Sequence, residues 1–150
     1  GCVISTGAIV YRGTTLGPGC ILGDYAGVRE RCTLGERVVV GRGSVVENDT
    51  RIGDLTKIQS NAYITAYMTI EDRCFIAPCV QTTNDNFMGR TERRHQLIKG
   101  ATIRKGARVG GGVVLSSGDG KNPDTVNQHW WDRMVGSLAT ADHPVRKLGP

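Results

Sequence analysis

The chain has 150 residues and a mass of 16.1 kDa, room for one domain and one core. Hydrophobic residues make up 39% of it and glycine occupies 21 positions, a globular composition that excludes disorder, although aromatic residues are only 5%. The longest apolar runs, such as Arg37 to Val40 with its three valines, fall far short of the ~20 residues of a membrane-spanning helix, which excludes one.

Residues 1–10 contain no Lys or Arg ahead of an apolar segment, so no secretory signal is visible. The five cysteines are an odd number and form no C-x-x-C pair. Reduced thiols and a cytoplasmic setting are the expectation.

From Ile4 onward a six-residue period dominates. Ile4, Val10, Leu16, Leu22, Val28, Leu34, Val40, Val46, Ile52, Ile58, Ile64, Ile70 and Ile76 are thirteen aliphatic residues in one phase without a miss. A second series lies four residues after each of them: Ala8, Thr14, Cys20, Ala26, Cys32, Val38, Ser44, Thr50, Thr56, Ala62, Met68, Cys74 and Val80, small except at Met68. Neither a helix nor a simple strand alternation has this period, whereas short strands joined by corners do. Each hexad then forms one flat side, with the aliphatic residue and the small one both turned into a narrow interior. Gly17, Gly23, Gly35, Gly41 and Gly53 directly follow an aliphatic residue, where a corner is expected to need positive φ. Three hexads make a triangular coil, and stacked coils pair their backbones at about 4.8 Å. The prediction is an all-β parallel β-helix, with its hand not set by periodicity.

The phase fails at Thr82, Met88 and Arg94 and returns at Leu97, Ile103, Val109 and Leu115, with Ala101, Ala107 and Val113 as the small residues. Extra chain must therefore leave the prism, and the excursion is placed at about residues 83–96. A long loop on a rigid solenoid is a favoured place for function. The domain is drawn at 1–115. Residues 116–150 carry no hexads and form a non-repeat tail, with a short helix expected around 127–139 whose Trp130 and Trp131 would cap the open end of the prism. Between Asp85 and Arg108 seven basic residues face only two acidic ones, so the whole net charge of +5 sits in that segment. The segment lacks the interleaved aromatics of a nucleic-acid surface.

With these features the chain resembles the hexapeptide-repeat acyltransferases. The resemblance covers residues 1–115 and implies a left-handed β-helix, usually trimeric, that uses a coenzyme A thioester. Within that group three stretches, Ile70-Glu71-Asp72-Arg73-Cys74-Phe75-Ile76-Ala77-Pro78, Thr83-Asn84-Asp85 and Lys99-Gly100-Ala101-Thr102-Ile103, are similar to the N-acetyltransferases that acylate nucleotide-linked amino sugars. That likeness implies transfer from acetyl-CoA to a sugar amine at a cleft between subunits of a homotrimer, with Asn84 and Asp85 near the amine. Two departures stand out. Ala66 occupies a position where that subgroup often has Glu, and residues after 115 do not continue the repeat.

Acyl transfer to an amine needs alignment, a destination for the amine proton, and donors for the oxyanion. Asp85 can accept a proton or orient an ammonium, and Asn84 can donate and accept; an ordinary Asx turn is the competing reading of both. His95 is the histidine of the loop and a candidate base, or else a solvated neighbour of Arg93 and Arg94. Lys99, Arg104, Lys105 and Arg108 are candidates for the phosphates of coenzyme A, or a solvated basic face. Only His95, His129 and His143 are available, so the three-histidine zinc site of the γ-class carbonic anhydrases, another hexapeptide-repeat family, cannot be built on adjacent coils, and no metal is expected. Other small acceptors such as amino acids or aminoglycosides, and a non-catalytic β-helical scaffold, remain as alternatives.

Overall fold

A computed structural model describes residues 1–85 and 92–116. Within them seventeen two-residue strands form three parallel sheets of six, six and five strands. The first face begins with Val3–Ile4, Ile21–Leu22 and Val39–Val40, the second with Ile9–Val10, Gly27–Val28 and Val45–Val46, and the third with Thr15–Leu16, Thr33–Leu34 and Arg51–Ile52. Successive strands visit the faces in turn, and each pairs with the strand one coil away, 18 residues up to Gln81–Thr82, as in Val3↔Ile21 and Thr33↔Arg51, and 33 residues across the excursion, as in Thr69↔Thr102. This is the β-helix expected, consistent with a left hand. No helix among the described residues is long and apolar enough to cross a membrane.

The second residue of every strand points inward. Leu22, Val28, Val40, Ile58, Ile64 and Ile76 are fully buried, as are Cys20, Ala26, Val38, Ser44, Thr50, Thr56 and Val80 of the small series. The polar members of that series satisfy themselves by joining coils. Ser44 Oγ donates to the Gln59 carbonyl at 2.7 Å and accepts the Ala62 N–H at 3.1 Å. Thr56 does the same with the Glu71 carbonyl at 2.8 Å and the Cys74 N–H at 3.1 Å. A hydroxyl is therefore tolerated inside the prism because the coil above supplies both partners.

The glycines after the aliphatic residues have a different cause from the one expected. Positive φ falls two residues later, three after each aliphatic, at Gly7, Gly13, Gly19, Gly43, Gly106 and Gly112 and at nine residues with side chains, Tyr25, Arg31 and Asn61 among them. Gly17, Gly35 and Gly41 are instead needed because the next coil passes close by: a Cβ on Gly41 would lie 2.6 Å from the carbonyl carbon of Gln59, and one on Gly17 2.5 Å from that of Gly35.

Two readings of the restart are corrected. Thr82 does not break the prism: it fills the inward place of the strand Gln81–Thr82, 2% exposed, because its hydroxyl donates to the Tyr63 carbonyl at 3.0 Å and accepts the Thr65 N–H at 2.7 Å. Leu97 is not a rung. It ends the helix Arg94–Leu97 and is exposed, and the prism resumes with Thr102–Ile103, which pairs with Thr69–Ile70. Ala101 and Val113 are buried and Ala107 packs against the core as expected. At the other end Ile4 and Val10 are 48% and 39% exposed; among the described residues their strands pair with Ile21–Leu22 and Gly27–Val28. The tail expected at 116–150, with its helix and tryptophan cap, lies outside the described residues beyond Ser116.

The close approach at Gly41 predicts that Gly41→Ala lowers stability by about 1–3 kcal/mol, since backbone must move. Gly27→Ala, where an added Cβ meets nothing within 4 Å, should be near neutral. Urea midpoints measure both, and equal shifts would contradict the packing described.

Candidate functional site

The excursion leaves the prism at the corner between the second and third faces. Thr83 is still tied to the next coil, its N–H donating to the Leu115 carbonyl at 2.8 Å. Asn84 follows and is half-buried. Its Nδ2 donates to the Ala66 carbonyl one coil below at 3.2 Å, and its own carbonyl accepts the Lys99 N–H at 3.1 Å. The neck of the loop is thus clamped where the chain leaves and where it returns, with Asn84 in both contacts. Asp85 is half-buried beside it. His95 lies farther along, exposed, on the helix Arg94–Leu97. Residues 86–91 of the expected loop lie outside those described.

The structure therefore joins Asn84 to Lys99 and sets Asp85 next to them, but it does not gather the four basic candidates. Lys99 stands at the second–third corner, Arg104 and Lys105 at the third–first corner, and Arg108 on a strand of the first face. Part of their charge is already engaged. Arg104 Nη1 is 2.9 Å from Glu71 Oε1, and Lys105 Nζ is 3.5 Å from Asp72 Oδ2. The Lys105 N–H donates to Glu71 Oε2 at 2.7 Å, and Arg108 Nη1 donates to the carbonyls of Arg73 and Gly106 at 2.8 and 2.7 Å. Arg104, and after it the Lys105 N–H, hold the Glu71 carboxyl below its ordinary range. Exposed pairs of this kind contribute little stability, so their role is to set where the cations stand.

Two features went unread in the sequence. One is an open groove of about 310 Å³ on the third face, lined by Thr33, Arg51, Thr69, Glu71, Asp72 and Lys105. The other is a charged ladder below the loop. Arg31 grips Asp49 through two hydrogen bonds of 2.8 and 2.7 Å, Asn48 Nδ2 donates to Asp49 at 2.6 Å, and Arg29 meets Glu30 at 2.9 Å and lies 5.1 Å from the Tyr11 ring centroid. Both features join outward residues 18 apart, Thr33–Arg51–Thr69 and Arg31–Asp49, a spacing that appears only when the hexads are folded three to a coil. No cluster of three or more metal-ligating side chains occurs among the described residues.

The ladder has a pH signature. Arg31 first, then Asn48, lower the Asp49 pKa from 3.8 to about 2. A depressed carboxylate contributes stability that is complete above the unfolded value and lost as the pH falls through the folded one. Melting temperature should therefore drop between about pH 4 and pH 2 more steeply in the native chain than in Asp49→Asn; identical slopes would contradict the pairing.

Two comparisons with known proteins bear on this arrangement. The family described as bacterial transferase hexapeptide (six repeats) matches residues 13–48 and 31–66. A curated relative, the bifunctional protein GlmU of Exiguobacterium sp. (strain ATCC BAA-1283 / AT1b), is 27% identical over 146 residues, which is 96% of this chain and 31% of that protein. The chain thus spans about a third of the relative it matches. The six-residue period from Ile4 to Ile76 and the three-faced prism it builds are those of a hexapeptide-repeat β-helix, and over residues 13–66 the chain is similar to the bacterial transferase hexapeptide family.

Proposed function

We propose that the chain is an acyltransferase that moves an acetyl group from acetyl-CoA to the amino group of a nucleotide-linked amino sugar, in sites between the subunits of a homotrimer. The observation that carries this reading is the clamped neck of the loop. Asn84 is fixed to a rigid prism through Ala66 and Lys99, which leaves its Oδ1 as an acceptor for an incoming amine. Pre-positioning of this kind is the main contribution a rigid scaffold makes to a two-substrate reaction.

In the reaction the amine attacks the thioester carbonyl, a tetrahedral oxyanion forms, and the coenzyme A thiolate departs as the nitrogen loses its proton. Asp85 receives that proton or orients the ammonium before it is lost, and His95 is the alternative acceptor. Lys99, Arg104, Lys105 and Arg108 attract the phosphates of the donor. Subunit association is supported by Val3, Ile9, Ile21 and Tyr25, exposed apolar side chains on the first and second faces and the corner joining them.

Ala66 supports a second reading. It offers Asn84 only a backbone carbonyl, so a different small acceptor, such as an amino acid or an aminoglycoside, remains open. Release of free thiol from acetyl-CoA, measured against a panel of acceptors, separates the two. Asn84→Ala should lower turnover at least ~10-fold, about 1.4 kcal/mol of barrier, with the melting temperature nearly unchanged. Unchanged turnover would remove Asn84 from the site, and failure to bind acetyl-CoA would leave a β-helical scaffold.

A further inference from the structure

The small inward series contains cysteine on two neighbouring rungs. Cys2 and Cys20 belong to one column, which continues through Val38, Thr56 and Cys74, so these two are the only cysteines of that column in adjacent coils. Their coils are locked in register. Val3 pairs with Ile21, and the Val3 N–H donates to the Cys20 carbonyl at 2.8 Å. The two thiols point the same way along the column. Cys2 Sγ donates to the Gly17 carbonyl at 3.2 Å and Cys20 Sγ to the Gly35 carbonyl at 3.1 Å, contacts that are equivalent one coil apart. One rung of a parallel sheet, about 4.8 Å, lies inside the ~4.4–6.8 Å range of Cα separations that a disulfide bridges.

The two cysteines differ in access. Cys2 is exposed and Cys20 is buried. Burial pushes the Cys20 thiol up, and the neighbouring Cys2 adds to that shift through its charge and a hydrogen bond, so the sulfurs are close enough to sense each other. The exposed thiol is the one a reagent reaches first, and the buried one is placed to resolve the product.

We propose that Cys2 and Cys20 are a redox-modifiable pair that closes, by exchange with a low-molecular-weight disulfide such as oxidised glutathione, into a bridge stapling the first coil to the second. In the first step the Cys2 thiolate attacks one sulfur of the oxidant, forming a mixed disulfide and releasing one glutathione thiolate. In the second the Cys20 thiolate attacks the Cys2 sulfur, forming the Cys2–Cys20 bond and releasing the second glutathione. The two protons lost by the cysteines are taken up by the two glutathiones, and the two electrons that reduce the oxidant come from the cysteine sulfurs. The other cysteines are placed differently. Cys32 stacks between Thr14 and Thr50, Cys74 faces Thr56 and Ala107, and Cys79 is exposed at a corner with φ of 61°.

The test incubates the full chain with oxidised glutathione, digests it without reduction after Arg and Lys, and weighs the peptides. Cleavage after Arg12 and Arg29 separates the two cysteines into peptides 1–12 and 13–29. The expected result is one species combining both peptides with the loss of two hydrogens, and a melting temperature raised by about 5 °C. Cys2→Ser should abolish both effects and Cys79→Ser neither. Recovery of Cys2 as a free thiol, as a lasting glutathione adduct, or linked to Cys2 of a second copy would overturn the proposal, as would loss of the bridge in Cys79→Ser.

Discussion

The structure depends on one constraint: three short strands must close around an interior too narrow for two large side chains at the same level. Each coil therefore spends one aliphatic and one small residue per side, and the backbone ladder to the next coil fixes where both stand. Lys57 shows the ladder on one strand, its N–H donating to the Cys74 carbonyl at 2.9 Å, and Gln59 continues it to Ile76 at 2.8 Å. Because the backbone hydrogen bonds run between coils, every outward residue is held in line with those 18 positions away. Surface features consequently come as columns.

Those columns explain the site. The charged ladder of Arg29, Arg31 and Asp49 and the neck at Asn84 occupy one corner, the ion pairs of Arg104 and Lys105 with Glu71 and Asp72 another, and the groove around Arg51 lies on the face between them. The excursion interrupts one column without disturbing its neighbours. Thr69 pairs with Thr102 as smoothly as with Arg51, so fifteen more residues than the usual coil step are accommodated outside the prism. A loop inserted this way has a rigid base, which is what an alignment-driven reaction requires.

Most of this was legible in the sequence where a single physical rule governed it. The inward aliphatic phase from Leu22 to Ile76 and the small series beside it follow from the period alone, and so does the placing of the excursion after Thr82. The errors arose where two causes produce the same residue. Glycine after an aliphatic serves close backbone approach, while positive φ is borne elsewhere by residues as bulky as Tyr25 and Arg37. Thr82 reads as a failure of hydrophobic phase, yet its hydroxyl finds Thr65 and Tyr63. Leu97 fits the phase by coincidence and belongs to a helix. Asn84 and Asp85 are proposed through resemblance, whereas the groove around Arg51 and the Arg31–Asp49 pair needed the three-to-a-coil folding before their residues could be seen as neighbours.

Native-state hydrogen exchange measures the central constraint directly, because every coil-to-coil N–H reports on the coil it joins. Protection should be strongest for amides such as Val39, Lys57 and Gln59 in the middle of the stack and should weaken toward Val3 and Ser5, recurring on each of the three sides of every coil. Protection that followed continuous stretches of chain instead, with no six-residue recurrence, would contradict the prism and all that is built on it.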